Sequence, residues 1–342
     1  MTAEDTGRLD EYLWDPAGPP SAEVVAIERR LASARFDAAR RPLPLPARQR
    51  SRSYARPILA LAASLALLAA AATAFWSWRW NWPDGAPWRV VVERTSPGAA
   101  AEPSQLRIDD PLRLDAAARV DIARIGTMQV QAGSALTLSE TTSKRHRVTL
   151  DRGTVRVRIW APPGRFALRT PSGNIIDLGC IFDLTVEDDG TSHVHVDTGW
   201  VQMQNDWGES LVPAGASSLM GAGTRPAVPI YEDASEQFAT AVRAMERTTD
   251  ERANRALLDR VLRTARPRDV LTLLMLARVS PSALKRPILD RAAQLVPPPA
   301  TVSVDGIIAG DTTQLWTWYH KLDLPPVKSW LRNWRDALPW AR

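Results

Sequence analysis

The stretch from Pro57 to Trp78, PILALAASLALLAAAATAFWSW, constrains this chain more than any other. Its only polar side chains besides tryptophan are Ser64, Thr73 and Ser77. It runs for 22 residues, and a helix of that length, at about 1.5 Å per residue, crosses a hydrocarbon core of roughly 30 Å. Arg40, Arg41, Arg48, Arg50, Arg52 and Arg56 crowd its N-terminal flank, and no acidic residue lies between Ala38 and Pro83. Basic flanks stay in the cytoplasm, so the N-terminus is expected inside. Trp76, Trp78, Trp80, Trp82 and Trp88 follow and read as an interfacial belt on the far side. A cleaved signal peptide fits less well. The run starts more than 50 residues in, is long for such a peptide, and has bulky tryptophans in the cleavage zone. A buried globular helix fits less well still, since the run has no polar face. The expectation is a single-pass protein of the cytoplasmic (inner) membrane. Residues 1–56 would lie inside, 57–78 would span, and the remainder would lie in the periplasm or outside.

The net charge of +5 is mild. Its concentration beside the apolar run makes it a topology signal and gives no argument for direct nucleic-acid binding. The single cysteine, Cys180, cannot form an internal disulfide, so the outer part must fold without such staples.

Inside, Tyr12-Leu13-Trp14 precede a proline-rich break, after which Ser21 is placed to cap a helix of about 15 residues. Val24, Ile27 and Leu31 recur at helical spacing and form one apolar stripe. So short a helix is not stable alone. Either the membrane, a second copy or a partner covers the stripe, or the segment is a solvated, partly disordered tail. The Pro- and Arg-rich stretch that follows is an extended linker.

From about residue 90 to 222 the period changes to two. Met128 and Val130, Leu136 and Leu138, Val155, Val157 and Ile159, Phe166 and Leu168, Val194 and Val196, and Val201 and Met203 alternate with polar neighbours. Such alternation means half-buried strands. Glycines fall between the runs, several about ten residues apart. Short strands with glycine corners point to an all-β sandwich, roll or solenoid-like coil.

The order of the pieces resembles the FecR family. They are GTMQVQAGSALTL, VTLDRGTVRVRI, RFALRTPSGNIIDLGCIFDLTV, VHVDTGWVQM and SLVPAGASSL, in sequence over about 95 residues from Gly126 to Met220. The resemblance implies a β-rich domain outside the cytoplasmic membrane and an inner N-terminus that touches an extracytoplasmic-function (ECF) sigma factor. It places Gly126, Gly153, Phe166, Leu178, Gly179, Phe182 and Gly199 in the structural core of the motif. Cys180 then stands where the family has threonine, as a small packed side chain at a corner. Better-known members carry a further periplasmic module after the β domain; this chain turns helical instead.

The helical stretch, residues 233–342, shows a cap at Thr249/Asp250 followed by Leu257, Leu258, Val261 and Leu262. Ser280-Pro281 reads as the start of a helix whose stripe is Leu284, Ile288, Ala292 and Leu295. TVSVDGIIAGD reads as extended. Trp316, Trp318, Trp330, Trp334 and Trp340 crowd the end. They either cap the helical core or anchor a partner, a glycan or the membrane surface.

Signatures of chemistry are missing. There is no Gly-rich phosphate loop, no Gly-x-Ser-x-Gly, no His-Glu-x-x-His and no cysteine cluster. His193 and His195 point the same way on one strand, but no third metal ligand is evident beyond Asp183 or Asp197. The expectation is a regulator without catalytic residues, metal or cofactor. Its partners would be the bilayer and a sigma factor that docks on Val24, Ile27, Leu31 and Trp14. The alternative is an envelope binding or scaffolding module that engages glycan or another protein.

Overall fold

The computed structural model describes residues 19–35, 55–93, 103–248, 250–322 and 324. It divides into two compact units, Met1–Leu68 and Ala69–Arg342.

In the first unit, helix α1 (Ala22–Leu31) starts where Ser21 accepts a hydrogen bond from the Val24 amide. The helix has 10 residues, shorter than the spacing suggested, and a single 3₁₀ turn, Ala32–Ala34, follows it. Helix α2 (Ala55–Trp80) begins in the first unit and ends in the second. Its window Ala60–Arg79 is long and apolar enough to cross a membrane, and none of it is buried within the protein. Leu61, Leu65, Leu67 and Leu68 are all more than half exposed.

The second unit opens with a large mixed sheet that does not close. Its axis is β7 (His146–Ile159), a strand of 14 residues. The first half of β7 pairs with β6 (Ala135–Thr141) and, in parallel, with β8 (Phe166–Thr170). The second half pairs with β5 (Gly126–Val130) and β10 (Ile181–Val186). The change of partners falls at Gly153, whose φ of +99° suits glycine and where a Cβ would sit 2.3 Å from the Ser134 hydroxyl. One half of the sheet continues through β9 (Gly173–Asp177), β12 (Trp200–Asn205) and β13 (Gly208–Pro213). The other continues through β11 (Ser192–Thr198), β14 (Ala216–Met220) and β15 (Ile230–Tyr231). β1 (Trp88–Val92), β2 (Pro103–Leu106), β3 (Pro111–Arg113) and β4 (Ala118–Ile122) extend the opposite side. Every apolar residue expected on the inner face, from Met128 to Met203, is buried.

After β8 the chain passes between the two halves three times, from β9 to β10, from β11 to β12 and from β13 to β14. Each passage turns at glycine: Gly179, Gly199 and Gly215, with φ of +89°, +78° and +76°. The corners lie against one another, because the Leu178 amide donates to the Trp200 carbonyl and the Ala214 amide to the Gly199 carbonyl.

One expected member of the interfacial belt is in the core instead. Trp88 is fully buried at the start of β1, and its indole N–H donates to the Thr141 hydroxyl at 3.0 Å. That hydroxyl lies 2.9 Å from Nδ1 of His146. A hydroxyl that accepts from Trp88 has its own proton to give, which asks for an unprotonated Nδ1. Burial, then Arg165 and Arg147, push the His146 pKa down to about 4. The unfolded chain takes this proton near pH 6.5, whereas the folded chain refuses it until about pH 4. Stability should therefore fall as the pH drops through that window, by on the order of 3 kcal/mol for this group. The check is the urea midpoint at pH 7 and pH 4.5: His146→Gln should lose clearly less between the two than the parent.

The helices follow. α3 (Glu236–Arg247) is capped by Ser235 and buries Phe238, Ala241, Val242 and Met245. α4 (Glu251–Thr264) is capped by Asp250, whose carboxylate accepts from the Arg252 amide. α5 (Val270–Val279) is buried from Val270 to Ala277 and forms the centre of this region. α6 (Ser282–Leu295) starts one residue later than the sequence suggested. Pro281 is its N-cap, and the Ser280 hydroxyl instead donates back to the Leu276 carbonyl. TVSVDGIIAGD is not extended. It contains the short helix α7 (Val304–Ile308), capped by Ser303. α8 (Thr312–Tyr319) buries Trp318, whose indole donates to the Val296 carbonyl at 3.1 Å. Trp330, Trp334 and Trp340 lie outside the described residues.

Candidate functional site

The spacing of Val24, Ile27 and Leu31 does place them on one face of α1, but their surroundings differ. Val24 is 8% exposed, whereas Ile27 and Leu31 are 55% and 60% exposed. Two large aliphatic side chains one turn apart are thus open to a partner. Covering each could contribute about 1.5–3 kcal/mol before ordering costs. Glu23 in the first turn and Arg29 and Arg30 in the last complement the helix dipole. Trp14 and the arginine-rich linker lie outside the described residues.

At the other end of α2 an aromatic and arginine seam joins the helix to the sheet. Trp76 stacks on Trp160 with ring centres 6.0 Å apart, and the Arg79 guanidinium lies 4.0 Å over the same Trp160 ring. Trp160 sits just after β7, where its amide donates to the Ile125 carbonyl. On the neighbouring turn between β4 and β5, the Arg124 guanidinium lies 4.1 Å over Trp78 and 5.3 Å over Trp82. It also donates to the Trp78 carbonyl. Cation–π contacts contribute about 0.5–1 kcal/mol when exposed and about 2 when desolvated. Two separate contact points, Trp160 and Arg124, therefore hold the last turns of α2 against the sheet. Residue type alone suggested tryptophans facing lipid headgroups. Trp78 is 55% exposed, while Trp76 and Trp82 are partly covered by the protein.

Phe166 and Phe182 are fully buried, and Leu178 packs partly buried against the core. A Cβ on Gly126 would meet the Arg158 carbonyl at 2.3 Å. Cys180 is buried at a corner organised by a residue that the sequence did not single out. The Asp177 carboxylate accepts from the Gly179 amide at 3.0 Å, the Cys180 amide at 2.9 Å and the Cys180 thiol at 2.6 Å. The spacing Asp-x-Gly-Cys, with a carboxylate two residues before glycine, is the signal that could have found it.

The two histidines stand on the sheet surface. His193 is exposed. His195 contacts Asp197 at 3.0 Å and Glu232 at 2.9 Å, and Arg156 bridges Asp183 and Asp197. The carboxylates that might have completed a metal site are thus engaged in ion pairs. Among the described residues no group of three or more His, Cys, Asp or Glu is placed to hold a metal ion.

No protein-family model matches the chain, and no curated protein matches it. Among solved structures, it is similar to two crystal structures, at 1.65 Å and 2.50 Å resolution, of a "putative anti-sigma factor" from Parabacteroides distasonis. In each case the identity is 20% and the TM-score 0.31, and the match covers 39% of this chain and 63% of the other. The match thus spans less than two thirds of those neighbours' own length.

Proposed function

We propose that this chain is a FecR-like, membrane-spanning regulator of an ECF-type sigma factor, without catalytic chemistry of its own. The observation that carries the reading is the helix α2. It is bare and apolar along Ala60–Arg79, is preceded by a short helix with exposed Ile27 and Leu31, and is clamped at its far end to a folded sheet. In this reading the helix spans the cytoplasmic membrane with its arginine-rich flank inside. α1 occludes the sigma factor by burying Ile27 and Leu31 against it. The sheet and helices outside sense an envelope state, and the Trp160 and Arg124 contacts pass their rearrangement to the span.

Topology is the first test. An alkaline-phosphatase fusion after Arg89 should be active and one after Arg50 inactive. The opposite pattern would place α1 outside, away from any sigma factor, and end the proposal.

A further inference from the structure

A cavity of about 900 Å³ opens between the end of the sheet and the helices, all within the second unit. That volume suits a small ligand. Leu219 on β14, Met245 on α3, Val279 on α5 and Leu284 on α6 give it an apolar wall. Leu219, Val279 and Leu284 are only half-buried, so part of that wall is bare.

Four arginines line the cavity, and two of them are already committed. Arg255 has a partner. Arg243 pairs with Glu246 at 3.1 Å and donates to the Val228 and Ser217 carbonyls. Glu246, the one carboxylate among the lining residues described, also accepts from the Val228 amide. The other two arginines remain available. Arg225, on the turn after β14, and Arg247, in the last turn of α3, are exposed and make no ion pair among the described residues. The first turn of α6 borders the same cavity through Pro281, Ala283 and Leu284, and no side chain caps it. Its amides add the positive end of a helix dipole to the two guanidiniums.

The backbone beside the wall is already matched. β14 pairs with β11, and the Leu219 carbonyl accepts from the Ala227 amide at 2.8 Å. An extended peptide would find no strand edge to join at Leu219, and its own amides would lie unmatched against apolar side chains. A ligand without a peptide backbone escapes that cost. A bare anion would leave the apolar wall uncovered, and a neutral apolar molecule would make no use of Arg225 and Arg247.

We infer that this cavity binds a small anionic amphiphile. Its acidic head, of carboxylate or phosphate oxygens, faces Arg225 and Arg247, and its apolar body lies along Leu219, Val279 and Leu284. A guanidinium fork accepts either head in bidentate geometry. The inference does not depend on the sigma-factor reading and would hold for an envelope-binding module equally.

The test uses the full chain in phosphatidylcholine nanodiscs, titrated calorimetrically with octanoate and with octyl phosphate, the heats of empty nanodiscs being subtracted. Acetate and inorganic phosphate supply the heads alone; octanamide and octylamine supply the body with no charge or the wrong one. At least one octyl anion should bind, and the tighter of the two identifies the head as carboxylate or phosphate. Every control should bind at least tenfold more weakly than that anion, and its affinity should fall as salt rises. Arg225→Gln/Arg247→Gln should cost it at least tenfold. Both arginines are exposed, so this variant should keep its circular dichroism and melting midpoint. Leu219→Asn gives a second reading at a position outside the core cluster and should weaken the octyl anion while its circular dichroism is unchanged. Binding of neither octyl anion, equal binding of octanamide or of the bare heads, or unchanged affinity in the folded arginine variant would each overturn the inference. So would tighter binding of the acidic peptide acetyl-Leu-Asp-Phe-Glu-Leu than of either octyl anion.

Discussion

Gly199→Val is expected to remove on the order of 3–5 kcal/mol from the stability of the sheet, a large share of the roughly 5–15 kcal/mol that keeps an ordinary domain folded. Two costs add at this residue. Its φ is +78°, a conformation that a β-branched side chain adopts only with strain. A Cβ there would also stand 2.3 Å from the Gly179 carbonyl and 3.1 Å from the Cys180 Cα. The obstacle is backbone, and it cannot yield cheaply, because the Asp177 carboxylate ties down both the Gly179 and Cys180 amides. Gly133 separates the two costs. Its φ is +82°, but a Cβ there meets nothing within 4 Å. Gly133→Val should therefore pay only the backbone term, about 1–2 kcal/mol. Urea melts of the parent and the two variants check the ordering, and equal losses would mean that the stacked corners do not constrain the fold.

The sheet was legible because its signal is local. A strand with one buried face writes its period into adjacent residues, and the apolar set from Met128 to Met203 is buried as that period requires. The corner glycines were legible for the same reason. What escaped depends on distant segments. Tryptophan is equally at home at a membrane interface and in a core, so nothing next to Trp88 revealed that Thr141, 53 residues away, would receive its N–H. α7 escaped because VSVDGII lacks a helical stripe; the Ser303 cap and the Gln314 side chain, which accepts from the Ser303 amide, hold it. The β–α cavity was invisible because its wall is drawn from β14, α3, α5 and α6 together. On α1 the spacing placed three residues on one face, but it could not divide a buried Val24 from an exposed Ile27 and Leu31.

That division sharpens the second large effect. Leu31→Asp should abolish partner capture while the outer sheet folds as before. Leu31 is 60% exposed, so the free chain loses little when it becomes a carboxylate. In a complex that covers the position, the same carboxylate would be buried without a partner and would cost several kcal/mol, a hundredfold or more in affinity. Val24→Asp does not discriminate as well, because Val24 is already buried within the free chain and its loss could act through folding. The transcript profile should follow the binding. Genes served by the captured sigma factor should become constitutive in the Leu31→Asp strain, or fall silent if this chain assists that factor instead of restraining it, and a deletion strain should show the same direction of change.

The most direct test of the proposed function is a tagged full-length chain, solubilised from its own host in non-ionic detergent and purified beside its Leu31→Asp variant, with the co-purifying proteins identified by mass spectrometry. The account predicts that an ECF-type sigma factor accompanies the parent and is depleted at least tenfold from the variant, at equal yield of folded protein. Absence of any sigma factor from the parent, or its equal retention by both, would contradict it.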